Sequence, residues 1–230
     1  MSQDNNKRIA KNTLMLYVRT MLTMLITLFT SRVILQVLGV EDYGVYNVVG
    51  GFVAMFGIVS GALTSSISRF LTFELGKGDT SRLNKIFCTS INIQIGISLL
   101  IIILGEVVGL WFLNYKMNIP PDRLVAANWV LQCSLVTFAI NLVSIPFNSA
   151  IIANERMSAF AYVSIFEVTC KLLIVYMLYL SPIDKLISYA LLMVCVSLVI
   201  QSVYAIYCRR NFQECTYHWH FDRLLIKQMT

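Results

Sequence analysis

Six apolar stretches, each long enough to cross a lipid bilayer, take up most of these 230 residues. They run 14–38, 45–73, 86–113, 124–153, 158–180 and 186–208. The shortest holds 23 residues, which at about 1.5 Å per residue reaches ~34 Å against a hydrocarbon core of about 30 Å. Hydrophobic residues make up 57% of the chain and charged ones 13%, too apolar a mixture for one soluble domain to hide from water. Backbone groups in lipid have no water to bond, so the spanning segments must be helices. A β-barrel is excluded, because its strands would alternate polar and apolar residues. The expected fold is an all-α integral membrane bundle of six transmembrane helices, with residues 209–230 as an appended tail.

The N-terminal segment carries Lys7, Arg8 and Lys11 and leads into a 25-residue apolar run. That run is too long for a signal-peptide core and no small-residue cleavage pattern follows it, so a retained first helix is expected. Eleven Lys and Arg fall on one side of the expected membrane: Lys7, Arg8, Lys11, Lys77, Arg82, Lys85, Arg156, Arg209, Arg210, Arg223 and Lys227. Three, Lys116, Arg123 and Lys185, fall on the other. The positive-inside rule then places both termini in the cytoplasm. The net charge of +6 is accounted for by topology and by contact with anionic membrane lipids. No groove-reading motif accompanies it, and no nucleic acid partner is expected.

Six cysteines are scattered without a C-x-x-C pair and read as small core residues. Cys215, His218 and His220 around Trp219 offer metal ligands, but zinc sites favour two paired spacings and this is one irregular trio. An interfacial segment with Tyr217, Trp219 and Phe221 at headgroup level is the expectation there. Both histidines lie in that tail and no Ser, His and carboxylate set is suggested, so no enzyme, metal or cofactor is expected.

The spans differ in where they hide polarity. On the second, Gly50, Ala54, Gly57, Gly61, Ser65 and Ser68 recur at three or four residues, a small-residue stripe that predicts close approach of another helix. On the fourth, Ser134, Thr137, Asn141, Ser144 and Asn148 form one polar row down the whole span, with Pro146 on the same helix. On the first, Arg19, Thr23, Thr27 and Thr30 share a face. A row of this kind should not face lipid. Two such rows in one bundle predict a hydrated internal cavity.

Charges inside the spans sharpen this expectation. Arg19 and Arg69 lie near the cytoplasmic ends of the first and second spans, where a long side chain can serve as an anchor or turn into a cavity. Arg32 sits in the outer half of the first span and would have to snorkel against the side-chain direction, so an ion pair with Glu106 of the third span is expected. Glu167 and Lys171 flank the midpoint of the fifth span at i, i+4 with the glutamate first. They read either as a self-neutralised pair or as cavity residues, Lys171 for an anionic headgroup and Glu167 for proton coupling. Four intramembrane cations against two glutamates favour an anionic guest. A lipid with a large, negatively charged, hydroxyl-rich head fits such an interior.

The run from Ser31 and Arg32 through Gly39, Glu41, Asp42, Tyr43 and Gly44 to Gly50 and Gly51 resembles the first outer loop of Wzx-type polysaccharide flippases. These are the lipopolysaccharide and O-antigen translocases of the multidrug/oligosaccharidyl-lipid/polysaccharide exporter superfamily. Ser68-Arg69-Phe70 leading to Asp79, and Ile145-Pro146 through Asn148 to Asn154, Glu155, Arg156 and Met157, are similar to further blocks of that family. The resemblance implies export of an undecaprenyl-diphosphate-linked oligosaccharide across a bacterial inner membrane by alternating access. The polar rows and intramembrane charges give as substrate-cavity candidates Arg19, Thr23, Thr30, Arg32, Arg69, Ser134, Thr137, Asn141, Ser144, Asn148, Glu167 and Lys171. Family members have two helical lobes, and this chain corresponds to one. The tail, with Phe221, Leu224, Leu225 and Met229 beside Asp222, Arg223 and Lys227, resembles the linker into a second. A fragment of a larger flippase is therefore expected, inactive alone unless two copies pair. A multidrug antiporter of the related branch and a non-transporting membrane subunit are the alternatives.

Overall fold

A computed structural model describes residues 2–117, 119–179 and 184–216. The tail residues beyond 216, including His218 and His220, lie outside them, as do residues 180–183. All regular structure among the described residues is helical: α1 (Ser2–Ala54), α2 (Gly57–Lys77), α3 (Thr80–Tyr115), α4 (Leu124–Ala153), α5 (Met157–Leu178) and α6 (Lys185–Asn211), with short 3-10 turns at Pro121–Arg123 and Gln213–Cys215. Five helical stretches are long and apolar enough to cross a membrane: Asn12–Ala54, Thr80–Tyr115, Pro121–Ala153, Met157–Leu178 and Lys185–Asn211. Among the described residues the architecture is all-α and compatible with a multi-pass membrane protein.

The expected loop at 39–44 is not a loop. Gly39 alone leaves the helix, at φ 83° and ψ 172°, a positive φ that costs glycine little and other residues much. Helix resumes at Val40, so α1 is two arms, 2–38 and 40–54, meeting at one residue. The second expected span is in turn broken. Around Met55 and Phe56 the backbone tightens to i→i+3 hydrogen bonds, Met55 N–H to Phe52 at 3.3 Å and Phe56 N–H to Val53 at 3.2 Å. Gly50, Gly51 and Gly57 surround that point and weaken the helix there.

Hydrogen bonds and ion pairs gather the connections at two ends. At one, Arg123 reaches Asp42 (Nε to Oδ1, 3.2 Å) and Asp184 (Nη1 to Oδ2, 2.7 Å). Asp184 caps α6 by accepting from the Leu186 and Ile187 N–H groups, and Lys185 donates to the Val37 carbonyl at 3.4 Å, one of the acceptors left open by the break at Gly39. At the other end, Glu74 pairs with Lys77 and Arg82. There too Asn84 donates to the Glu214 and Thr216 carbonyls at 2.7 Å, and Asn154 to the Glu214 carboxylate at 3.0 Å.

α4 is the central helix, packed against α3, α6, α2 and the second arm of α1, while the first arm lies along α5. The close approach that the α2 stripe predicts occurs elsewhere. A Cβ built on Gly50, Gly57 or Gly61 meets nothing within 4 Å, whereas one on Gly105 falls 2.3 Å from Leu135 Cδ2 and one on Gly109 lies 3.0–3.1 Å from Phe52 and Leu131. The Gly105-x-x-x-Gly109 face of α3 thus seats α4, and Phe87 meets Phe147 edge to face at 5.3 Å lower in the same seam. The α2 stripe is open, with Gly61 and Ser65 exposed and only Ser68 engaged, in a 3.0 Å hydrogen bond with Ser149.

Candidate functional site

On a helix each residue turns about 100°, so exposure along α4 tells its faces apart. Val125, Trp129 and Val136 are exposed on one side. Ser134, Thr137 and Asn141 lie on the opposite side and line a cavity of about 200 Å³, completed by Tyr46, Gly50 and Val53 of α1 and by Ala190 and Met193 of α6. Asn141 is exposed although it sits among inward-facing residues, which places the mouth of the cavity beside it. Several waters fit such a volume and have hydroxyl and amide partners there.

The lower part of the row is closed. Ser144 is buried, its hydroxyl in hydrogen-bond contact with the Ile140 carbonyl and the Gln201 side-chain oxygen of α6. Asn148 is half-buried, with an Oδ1 that is enclosed and without a hydrogen-bond partner. The expected continuous polar groove is therefore an open upper half and a sealed lower half. Gln201 supplies the seal, because its amide can satisfy a serine across a helix seam.

α5 repeats the pattern of two faces. Tyr162, Phe166, Thr169, Leu173 and Tyr176 are exposed on one side. Ser164, Glu167, Lys171, Val175 and Leu178 lie on the other, and Ser164, Val175 and Leu178 are buried. Glu167 and Lys171 form an ion pair at 2.5 Å, and both remain about one-third exposed (33% and 34%). Both lie on the face of α5 opposite the one that carries the exposed aromatic residues.

Arg19 of α1 joins this wall. Its guanidinium carbon stands 4.3 Å from the centre of the Phe160 ring on α5, and its Nε is enclosed without a hydrogen-bond partner. Buried Tyr204 of α6 shares a hydrogen bond with Ser164 and lies within electrostatic range of Arg19 and Glu167. Thr23 and Thr30 fall on the same side of α1 as Arg19, half-buried and buried. Their hydroxyls donate to their own helix, to the Thr20 carbonyl at 3.0 Å and the Ile26 carbonyl at 2.6 Å.

Two expected members stand apart. Arg32 is exposed on the face of α1 that carries Leu25, Leu28 and Leu35, turned away from Arg19. No ion pair joins it to Glu106 among the described residues; the Glu106 carboxylate instead accepts from Gln132 Nε2 at 2.7 Å. A neutral amide one helix away meets the need that a distant arginine was expected to meet. Arg69 is exposed on the open face of α2, where it lines a surface recess of about 560 Å³ with Ser65, Ser66, Phe70 and Phe73. No residue of the α4 row lines that recess.

Three contributors escaped the sequence reading. Ser197, Gln201 and Tyr204 recur at four and three residues on α6 and face the same interior as the α4 and α5 rows, a spacing legible in the sequence. The Arg123 contact to two aspartates was not legible, because its partners come from distant connections. The tail-end cysteines form the third case. Cys208 and Cys215 are buried, and the Cys215 thiol is pushed above its ordinary value, first by a hydrogen bond with Cys208 and then by burial. Comparison with known proteins adds nothing to this geometry: no family model, no curated protein and no solved structure matches the chain.

Proposed function

We propose that this chain is one membrane lobe of a flippase that moves an undecaprenyl-diphosphate-linked oligosaccharide between bilayer leaflets, as its resemblance to the Wzx-type translocases implies. In this reading the chain crosses the bacterial inner membrane six times with both ends cytoplasmic. The path from Val40 to Lys77 counts as a single crossing interrupted at Met55 and Phe56. The observation that carries the reading is the opening of the Ser134, Thr137 and Asn141 row into a cavity, on a bundle whose inward faces also hold Arg19 and Lys171.

Such an interior suits the guest in two ways. Hydroxyls and an amide at the cavity wall replace water around sugar hydroxyls, and cations replace water around phosphate. The prenyl tail stays in lipid, which is why the exposed apolar faces of α1 and α5 need no protein cover. A drug-cation exporter would want a free acidic residue inside, and Glu167, the one carboxylate on the inward face of α5, is held by Lys171.

Binding of a prenyl-diphosphate-linked sugar by the purified chain in nanodiscs tests the reading. Saturable binding is expected, with no competition from the matching prenol and weakened binding in Asn141→Ala and Arg19→Gln. Equal binding of prenol and diphosphate-linked sugar refutes it.

A further inference from the structure

We infer that Glu167 is a built-in competitor for Lys171: the anionic headgroup of the guest takes the ammonium, and the displaced carboxylate takes up one proton from the adjoining water. This rests on the function proposed above and assigns it a coupled proton. The geometry points there from three sides. The pair is closed at 2.5 Å, so Lys171 is not free to receive an anion while Glu167 holds it. Both side chains are one-third exposed yet lie opposite the outward face of α5, so a guest in the interior can reach them. Arg19 stands on the same wall with an enclosed Nε that no protein acceptor engages.

Charge balance then decides the proton. With Glu167 ionised, it and Lys171 sum to zero charge. With Glu167 protonated the pair carries one positive charge, which offsets one of the two negative charges of a diphosphate esterified at both ends. Holding such a guest beside an ionised Glu167 would leave both of its negative charges uncompensated by the pair, and partial desolvation inside the bundle opposes that. The other groups near Glu167 do not remove the excess. Cys170 neighbours it on α5 and Tyr204 faces it from α6, with Arg19 of α1 on the far side of Tyr204, while the inward row of α4 offers only neutral serine, threonine and asparagine.

The test is calorimetric titration of the full chain in phosphatidylcholine nanodiscs with geranyl-diphospho-N-acetylglucosamine, against empty nanodiscs, in buffers of different ionisation heat. The diester phosphates of this probe keep a constant charge near neutrality. The wild-type chain is expected to take up about one proton per bound probe, with affinity rising by up to about tenfold per unit fall in pH. Glu167→Gln is expected to bind at least as tightly as the wild type at low pH, without proton uptake and without pH dependence. Lys171→Gln is expected to bind more weakly. Binding by the wild-type chain with no proton uptake overturns this inference and leaves the proposed function standing, and that result does not depend on any variant folding. Failure of both the wild-type chain and Glu167→Gln to bind the probe overturns both.

Discussion

Removing Arg123 should cost the fold a measurable part of its stability. Its guanidinium joins Asp42 on α1 to Asp184 at the start of α6, with side-chain exposures of 32%, 8% and 33% respectively. The two contacts differ. The 2.7 Å approach to Asp184 is a hydrogen bond, while the 3.2 Å approach to Asp42 Oδ1 lacks hydrogen-bond alignment and is Coulombic. Arg123→Ala leaves Asp42 charged, nearly buried and without its cation. Stranding a buried charge costs about 3–5 kcal/mol, but Arg123 and Asp184 keep contact with solvent, which screens their share to about 0.5–1 kcal/mol. The expected loss is about 2–4 kcal/mol. Arg123→Lys should recover part of it, since an ammonium cannot present a fork to both carboxylates. Adding Asp42→Asn to Arg123→Ala should recover about 1–3 kcal/mol, because no charge is then left buried. Equilibrium unfolding in dodecylmaltoside micelles titrated with dodecyl sulfate, followed by circular dichroism, measures the wild type and all three variants. A loss below about 0.5 kcal/mol for Arg123→Ala, or no recovery in the double variant, refutes the reasoning.

Two further outcomes follow from packing and burial. Gly105→Ala should destabilise by about 1–3 kcal/mol, because its Cβ would fall on the buried Leu135 side chain; Gly61→Ala, with open space at its Cβ, should stabilise by up to about 1 kcal/mol. The same unfolding assay reads both, and equal signs would contradict the assignment of close packing to α3. Cys215, buried and with its thiol held protonated by Cys208 and by burial, should resist maleimide at neutral pH until the protein is unfolded. An exposed Ser81→Cys should react at once, and comparable rates at the two positions would show that the tail-end seam is open.

How far the fold can be read in advance depends on where its information lies. The fourth span is expected at 124–153 and found as Leu124–Ala153, because an apolar run between Pro120-Pro121 and Asn154 has marked ends. The turn between the first two spans is misjudged because one residue, Gly39, does what several usually do. Rows of polar residues on α4 and α5 are local, so their periodicity identifies a face. Which face of α1 carries Arg32 is not local, since that helix is apolar on nearly all sides and only packing against α5 decides it. Close packing is a mixed case: the Gly105-x-x-x-Gly109 spacing was available, but the longer stripe on α2 competed with it, and only the position of Leu135 distinguishes them.

The central claim is that the α4 row faces water inside the bundle and not lipid or a dry seam. In a cysteine-free background, Thr137→Cys, Asn141→Cys and Val136→Cys are to be exposed to a charged, membrane-impermeant methanethiosulfonate in intact membranes. Thr137→Cys and Asn141→Cys should be modified, whereas Val136→Cys, one residue away on the outward face, should not. Protection of all three positions, or modification of Val136→Cys alone, would contradict the account.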